Sequence, residues 1–251
     1  MTLRETPAGK ANCAIAVMAK APRPGHSKTR LCPPLDYHQA ARMSAAFLRD
    51  TTENIALASA SAAISAYAAY APFGTEEALR PHIAPNTQPI LADGSLDAVA
   101  GVEGFGRCLF QAIAGQFALG HAAACVLSSD TPNLPTDYLI QTANILLTGH
   151  DRRIVLGACD DGGYYLLGMR APYARLFADI AWSTETVAAG TRLRAQELGL
   201  EVVELPPWYD IDDAMSLRQL LADDGGYAAP FTRKTIDTLE IGSVLQGVRA
   251  A

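Results

Sequence analysis

The chain has 251 residues, of which 49% are hydrophobic and 18% charged, with a formal net charge of −6. This composition excludes a disordered chain, and the length suits one large α/β domain better than two small ones. The acidic balance gives no global attraction to nucleic acid or anionic membrane, and no run of roughly eighteen apolar residues is present to span a bilayer.

Five cysteines (Cys13, Cys32, Cys108, Cys125 and Cys159) are scattered and form no CxxC pair. That usage favours reduced thiols over disulfides or a zinc site, and so a cytoplasmic protein. The polar opening does not read as a signal peptide, and the apolar run after it is too short for a signal-peptide core.

The first predicted strand, residues 13–19, runs into KAPRPGHSKTRL at residues 20–31. Lys20, Arg23, Lys28 and Arg30 then stand at the carboxyl edge of a sheet, where open α/β folds bind ligands. Lysine as a point charge and arginine as a planar fork both suit phosphate oxygens. The plainer alternative is a basic surface loop. It is not a Walker A loop, because His26 and Ser27 separate Gly25 from Lys28.

A helix over 37–59 follows, then a strand over 62–70, a helix over 75–82 and a short strand over 89–91. Gly101, Gly104 and Gly106 spell GxxGxG, which is not a dinucleotide fingerprint. The spacing predicts a helix over 104–118, a strand over 123–128 and a helix over 136–147. In that last helix Leu139, Ile140, Ala143, Leu146 and Leu147 share one face, and Thr136 or Asp137 caps its start. Strands over 154–159 and 164–168 are separated only by Asp160-Asp161-Gly162-Gly163, too little for a crossover helix. They are expected to be antiparallel neighbours, with both glycines supplying positive φ. A helix over 183–198 starting at Ser183, a strand over 201–205 and a helix over 213–222 complete an α/β pattern with a mixed, mostly parallel sheet. Residues 1–224 read as one nucleotide-binding domain. Residues 225–251 read as an extension packed on it, with a terminal helix over 235–248.

Acidic clusters fall at three predicted strand ends. Asp130, in SSDTP, is placed to hold a divalent cation near a bound phosphate, or to make an Asx-turn. In DDGGYY, Asp161 can act as a base, Gly162 and Gly163 allow close approach to an acceptor, and Tyr164 or Tyr165 can stack on a ring. In WYDIDD, Asp210 and Asp212 point the same way in an extended segment and suit a hard cation, while Asp212 or Asp213 caps the next helix. Trp182 lines an acceptor pocket or serves as a hydrophobic staple. There is no GxSxG or HExxH. Of the five histidines only His26 lies in the basic loop, and the other four read as surface residues.

Taken in order, KAPRPGHSKTRL, SDTPNLP, DDGGYYLLG, WST and DIDDAMSLRQL resemble the motifs of a bacterial family of GT-A-like transferases, the radical-SAM/selenodomain-associated type. That family belongs to the nucleotide-diphospho-sugar transferase superfamily. The resemblance covers residues 14–222. It implies a three-layer αβα sandwich that binds a nucleotide diphosphate through Mg²⁺ or Mn²⁺. It further implies phosphate contacts from Lys28 and Arg30, and a metal held by Asp130 with Asp210 or Asp212. Of the family's Q-x-x-G-D-L-G-x-R segment this chain keeps Gly106 and Arg107, and Arg107 is carried over as a phosphate ligand.

The expected activity is glycosyl transfer from a nucleotide sugar to a small acceptor, with Lys28 and the metal neutralising the departing diphosphate and Asp161 as base. The alternatives are nucleotidyl transfer with release of pyrophosphate and a nucleotide-binding module without turnover. A homo-oligomer is compatible with either.

Overall fold

The structure is a computed structural model and describes residues 10–247. Its centre is a seven-stranded sheet with β1 (Lys10–Ala19), β2 (Ile64–Tyr70), β3 (Gln88–Leu91), β4 (His121–Leu127), β5 (Arg153–Cys159), β6 (Tyr164–Met169) and β7 (Glu201–Trp208). The strand order is β3-β2-β1-β4-β6-β5-β7, and β6 alone runs antiparallel to its neighbours.

Both faces of the sheet are covered. On one lie α1 (Tyr37–Ala58) and α4 (Thr136–Thr148), whose Leu48, Ile55, Leu139 and Leu146 pack on Cys13, Ile15 and Val17 of β1. On the other, α3 (Phe105–Ala118) and α5 (Val187–Glu197) bring Leu109, Ile113 and Ala195 into the cluster containing Ala14 and Ala16. Alternate residues of one strand thus feed opposite cores, as the pleat requires. The result is the expected αβα sandwich with a mixed, mostly parallel sheet.

Two small residues make room for large neighbours. A Cβ on Gly157 would lie 2.2 Å from the ring of Tyr165, and one on Gly168 would lie 2.7 Å from Cys125 Sγ. A third cluster joins Leu31, Met43 and Phe47 to Ile211, which follows β7, and to Leu217 and Leu220 of α6 (Ala214–Ala222). Through it the segment after β1 is packed against the segment after β7.

Several elements differ from the sequence-based expectation for identifiable reasons. Residues 75–82 split into α2 (Glu76–Leu79) and a 3-10 turn, Arg80–His82, because Pro81 lacks an N–H. The cap position of α4 is Pro135, and Thr136 Oγ1 instead donates to Asn54 Oδ1 at 2.6 Å. α5 starts at Val187 rather than Ser183, which has φ 63° in an irregular loop. Asp213 is the residue that caps α6, taking the backbone N–H groups of Met215 and Ser216. Only Gly162 of the hairpin glycines has positive φ. His121 is buried, hydrogen-bonded to Tyr67 Oη at 2.8 Å and Asn12 Oδ1 at 2.7 Å.

The expected terminal helix is two, α7 (Pro230–Thr238) and α8 (Ile241–Gly247), broken where Glu240 takes φ 51°; Val248 lies outside the described residues. α7 packs against α1, and the buried Asp50 of α1 accepts from the N–H groups of Phe231 and Thr232 at 3.1 and 2.6 Å. Asp50→Ala removes this cap and is expected to lower stability by about 1–2 kcal/mol, read from the urea midpoint. Among the described residues no helix is long and apolar enough to cross a membrane.

Candidate functional site

A cleft of about 510 Å³ opens at the edge of the sheet where β1 and β4 end and β6 begins. The basic loop forms one wall. Its turn closes on itself: Arg23 O accepts from the N–H groups of His26 and Ser27, both at 3.1 Å, and Arg23 N donates to Ser27 Oγ at 3.0 Å. Gly25 permits the reversal with φ 75°. Lys28 follows in the left-handed region (φ 49°, ψ 40°), after which a 3-10 turn, Thr29–Leu31, buries Leu31 in the third cluster.

That backbone aims Lys28 inward. Nζ lies 2.8 Å from Asp130 Oδ1, 2.7 Å from Asp212 Oδ1 and 2.8 Å from Ile211 O, with 9% of the side chain exposed. Three chain segments, after β1, β4 and β7, therefore meet on one ammonium. Burial lowers the affinity of Lys28 for its proton, but Asp130 and Asp212 outweigh it and the pKa is raised. Burial also opposes ionisation of Asp212, yet Lys28 and Arg30 draw its pKa below the ordinary value. Arg30 adds a 3.4 Å contact to Asp212 Oδ2, but at 76% exposure it contributes little.

The backbone segments that carry the two carboxylates are braced. Asp130 N donates to Ser128 Oγ at 3.1 Å, Ile211 N donates to Asp130 O at 2.8 Å, and Asp212 N donates to Ser216 Oγ at 3.0 Å. Asn133 ties the same segments further out, donating to Tyr209 Oη at 2.6 Å and accepting from Trp208 Nε1 at 3.3 Å.

Asp210 is crowded by its own kind. Burial, then Asp212, Asp161 and Asp130, push its pKa up to about 6. One donor atom each from Asp210, Asp161 and Cys159 lies within 4.8 Å of the others. Burial, then Asp210, Asp161 and Asp160, push the Cys159 thiol far up, so its sulfur stays protonated and the oxygens are the available ligands.

The hairpin turn stands beside this cluster. Asp161 Oδ1 accepts from Gly163 N at 2.8 Å, and Gly162 N donates to Cys159 O at 3.2 Å, so both glycine N–H groups are used within the turn. Gly162 also abuts the Trp182 loop: its O accepts from Ala188 N at 2.9 Å, and a Cβ there would lie 1.9 Å from Glu185 O. Tyr164 lines the cleft, with its hydroxyl buried and without a hydrogen-bond partner among the described residues. Tyr165 also reaches the cleft, but its ring belongs to the opposite core and its hydroxyl donates to Pro206 O at 2.9 Å.

Lys20, Lys28, Arg30, Asp130, Asp212 and Tyr164 thus share the cleft, and Asp161 and Asp210 adjoin it. Arg23 is exposed on the loop and does not line the cleft. Arg107 is turned away: its guanidinium donates to Gly94 O at 2.9 Å and to Leu96 O, holding the loop after β3. Trp182 packs edge-to-face on Phe105, centroids 5.9 Å apart, and stands over Gly106, where a Cβ would meet its Nε1 at 2.7 Å. Phe105, 49% exposed, is among the cleft residues that sequence reasoning missed. Only its place at the start of a helix hinted at it, and helix starts are common.

The strand order, the enclosed sheet and the ring of side chains at its carboxyl edge define a protein with the fold of nucleotide-diphospho-sugar transferases. A Desulfovibrio desulfuricans G20 protein provisionally designated a nucleotide-diphospho-sugar transferase superposes with a TM-score of 0.74 at 22% identity, over 94% of this chain and 97% of its own. A cytidylyltransferase from Leptospira borgpetersenii serovar Hardjo-bovis (strain JB197) does so with a TM-score of 0.52 at 11% identity, over 93% and 96% of the two chains. At these identities the likeness is one of fold. The chain belongs to the family described as "Uncharacterized protein conserved in bacteria (DUF2064)", which it matches over residues 55–184, a little more than half its length. No curated protein matches the sequence.

Proposed function

We propose that the chain is a transferase acting on a nucleotide-activated donor with the help of a divalent cation. The observation that carries this reading is the meeting of Lys28, Asp130 and Asp212 at one cleft from sequence positions far apart. The five ordered motifs support the GT-A-like, radical-SAM/selenodomain-associated type within that class.

The donor set suits Mg²⁺ or Mn²⁺. Oxygens of Asp210 and Asp161 converge, the Cys159 sulfur beside them is protonated, and ionising Asp210 among other acids leaves negative charge that a hard cation neutralises. Asp130 and Asp212, with Asp210 beside them, would hold the ion. When bound, such an ion neutralises charge on a diphosphate leaving group. Lys20 and Arg30 stand in the cleft to bind phosphate oxygens, and the exposed Arg23 extends the positive rim. Asp161 is held in the turn through Oδ1, which accepts from Gly163 N, and is the candidate to accept an acceptor hydroxyl proton. Phe105 and Tyr164 give the cleft an apolar wall for a flat ring or sugar face.

Glycosyl transfer is the preferred reaction. In the loop after β1, the N–H groups of Arg23, His26 and Ser27 are all spent inside the turn, which leaves few to cradle a triphosphate. Nucleotidyl transfer remains the second reading, because the fold serves both. Incubation with nucleotide sugars and with nucleoside triphosphates, each with Mg²⁺ or Mn²⁺, separates them. Metal-dependent release of a nucleoside diphosphate supports the first and release of pyrophosphate the second. Absence of both over a broad acceptor panel, with nucleotide still bound, would support a module without turnover.

A further inference from the structure

Lys28 is not held as a free phosphate-binding cation. Its three N–H donors are matched by three acceptors, Asp130 Oδ1, Asp212 Oδ1 and Ile211 O, all within 2.8 Å, and 9% of the side chain is exposed. An ammonium shared by two carboxylates and a carbonyl occupies the same oxygen set that a hard divalent cation would take. The two cannot hold those oxygens together at full strength.

We propose that Lys28 is an exchangeable counter-ion: a divalent cation displaces its ammonium from Asp130 and Asp212, and the freed lysine turns into the cleft toward the anionic ligand. The inference rests on the metal-dependent reading above and deepens it. Three observations support it. The backbone of both acids is held independently of Lys28, Asp130 N donating to Ser128 Oγ and Asp212 N to Ser216 Oγ, so the segments that carry the two carboxylates stay in place when the ammonium leaves. Lys28 already lines the cleft, so its side chain has somewhere to go. Its backbone sits at φ 49°, a conformation a non-glycine residue holds only when its surroundings impose it. The closed turn over 23–27 on one side and the buried Leu31 on the other are what impose it here.

The exchange would make metal and anion binding cooperative. Without the metal, the buried cation is locked onto carboxylates. With it, the same cation becomes available to phosphate, so the cleft gains positive charge twice from one binding event.

Mn²⁺ titration followed by electron paramagnetic resonance, without nucleotide, tests this on wild type and Lys28→Met. Removing a competitor for the same oxygens should make the variant bind Mn²⁺ roughly tenfold more tightly. Equal or weaker binding by a variant that still melts cooperatively overturns the exchange. Should the variant not fold, acetic anhydride labelling of the wild type gives the same answer by mass spectrometry. Mn²⁺ should raise acetylation of Lys28 several-fold while leaving the exposed Lys20 and Lys234 unchanged. Lys28 labelling that does not respond to bound Mn²⁺ overturns the exchange and leaves the metal-dependent reading standing. Failure of Mn²⁺ to bind either protein overturns both.

Discussion

Asp210→Asn should make the metal-free protein more stable at pH 7.5 and at the same time impair its divalent-cation binding. The carboxylate is pushed up to about pKa 6 by burial and by Asp212, Asp161 and Asp130. A carboxyl whose folded pKa lies above its unfolded value favours folding when protonated, and it loses that contribution as pH rises through the two values. At pH 7.5 the wild type therefore carries an ionised Asp210 among like charges, and asparagine does not. The stability advantage of the variant should shrink as pH falls through about 6 toward 4, where Asp210 becomes protonated. Parallel thermal melts at pH 7.5 and 4.5 measure this directly. The cation arm should move the other way: loss of a ligand is expected to weaken Mg²⁺ or Mn²⁺ binding by at least the roughly ten- to hundredfold that loss of an outer partner costs. A variant that is less stable at pH 7.5, or that keeps full cation-induced stabilisation, would remove Asp210 from the site.

The second large effect is structural. Gly162→Ala should destabilise the protein by about 3 kcal/mol or more, the sum of a left-handed backbone penalty and overpacking. The residue has φ 86°, and an added Cβ would lie 1.9 Å from the carbonyl oxygen of Glu185, which is backbone and cannot swing aside. The hairpin turn must then part from the loop carrying Trp182, so Asp161 should shift as well. A urea midpoint within error of the wild type would show that the two segments are not packed as described. The same measurement on Gly163→Ala should give a smaller loss, because φ there is not positive and the nearest atom to its Cβ is Asp161 Oδ1 at 3.1 Å.

Much of this architecture was legible in the sequence. The alternation of predicted strands and helices pointed to an α/β fold with a mixed, mostly parallel sheet, as found. The four-residue gap at Asp160–Gly163 forced an antiparallel pair into an otherwise parallel sheet, as found for β5 and β6. The convergence of Lys28 with Asp130 and Asp212 followed from motifs at strand ends, because in such folds those ends share one rim.

What the sequence hid were the partners each charged group would choose. Arg107 has the look of a phosphate ligand, yet the carbonyls of Gly94 and Leu96 lie within its reach and take its donors. Alternation put Asp210 and Asp212 on one side of an extended segment, but Asp212 gained an ammonium and Asp210 gained only acids. Lys28, too, has the look of a phosphate ligand. Its left-handed backbone, which no spacing rule reveals, turns it onto carboxylates. The helix at Thr136 starts where expected, but Asn54 takes the Thr136 hydroxyl that local capping would use, and the helix expected from Ser183 starts at Val187 after an irregular loop.

The central proposal is that acids and cations from distant segments enclose a common site for a divalent cation and a nucleotide. Thermal stabilisation of wild type and Asp130→Asn by nucleotides and nucleotide sugars, with and without Mg²⁺ or Mn²⁺, tests it most directly. At about a hundred times its dissociation constant a ligand should add roughly 2.7 kcal/mol to the wild type, and a defined part of that should require the cation. Asp130→Asn should lose the cation-dependent part and keep the rest. An identical, cation-dependent response from both proteins would contradict the account.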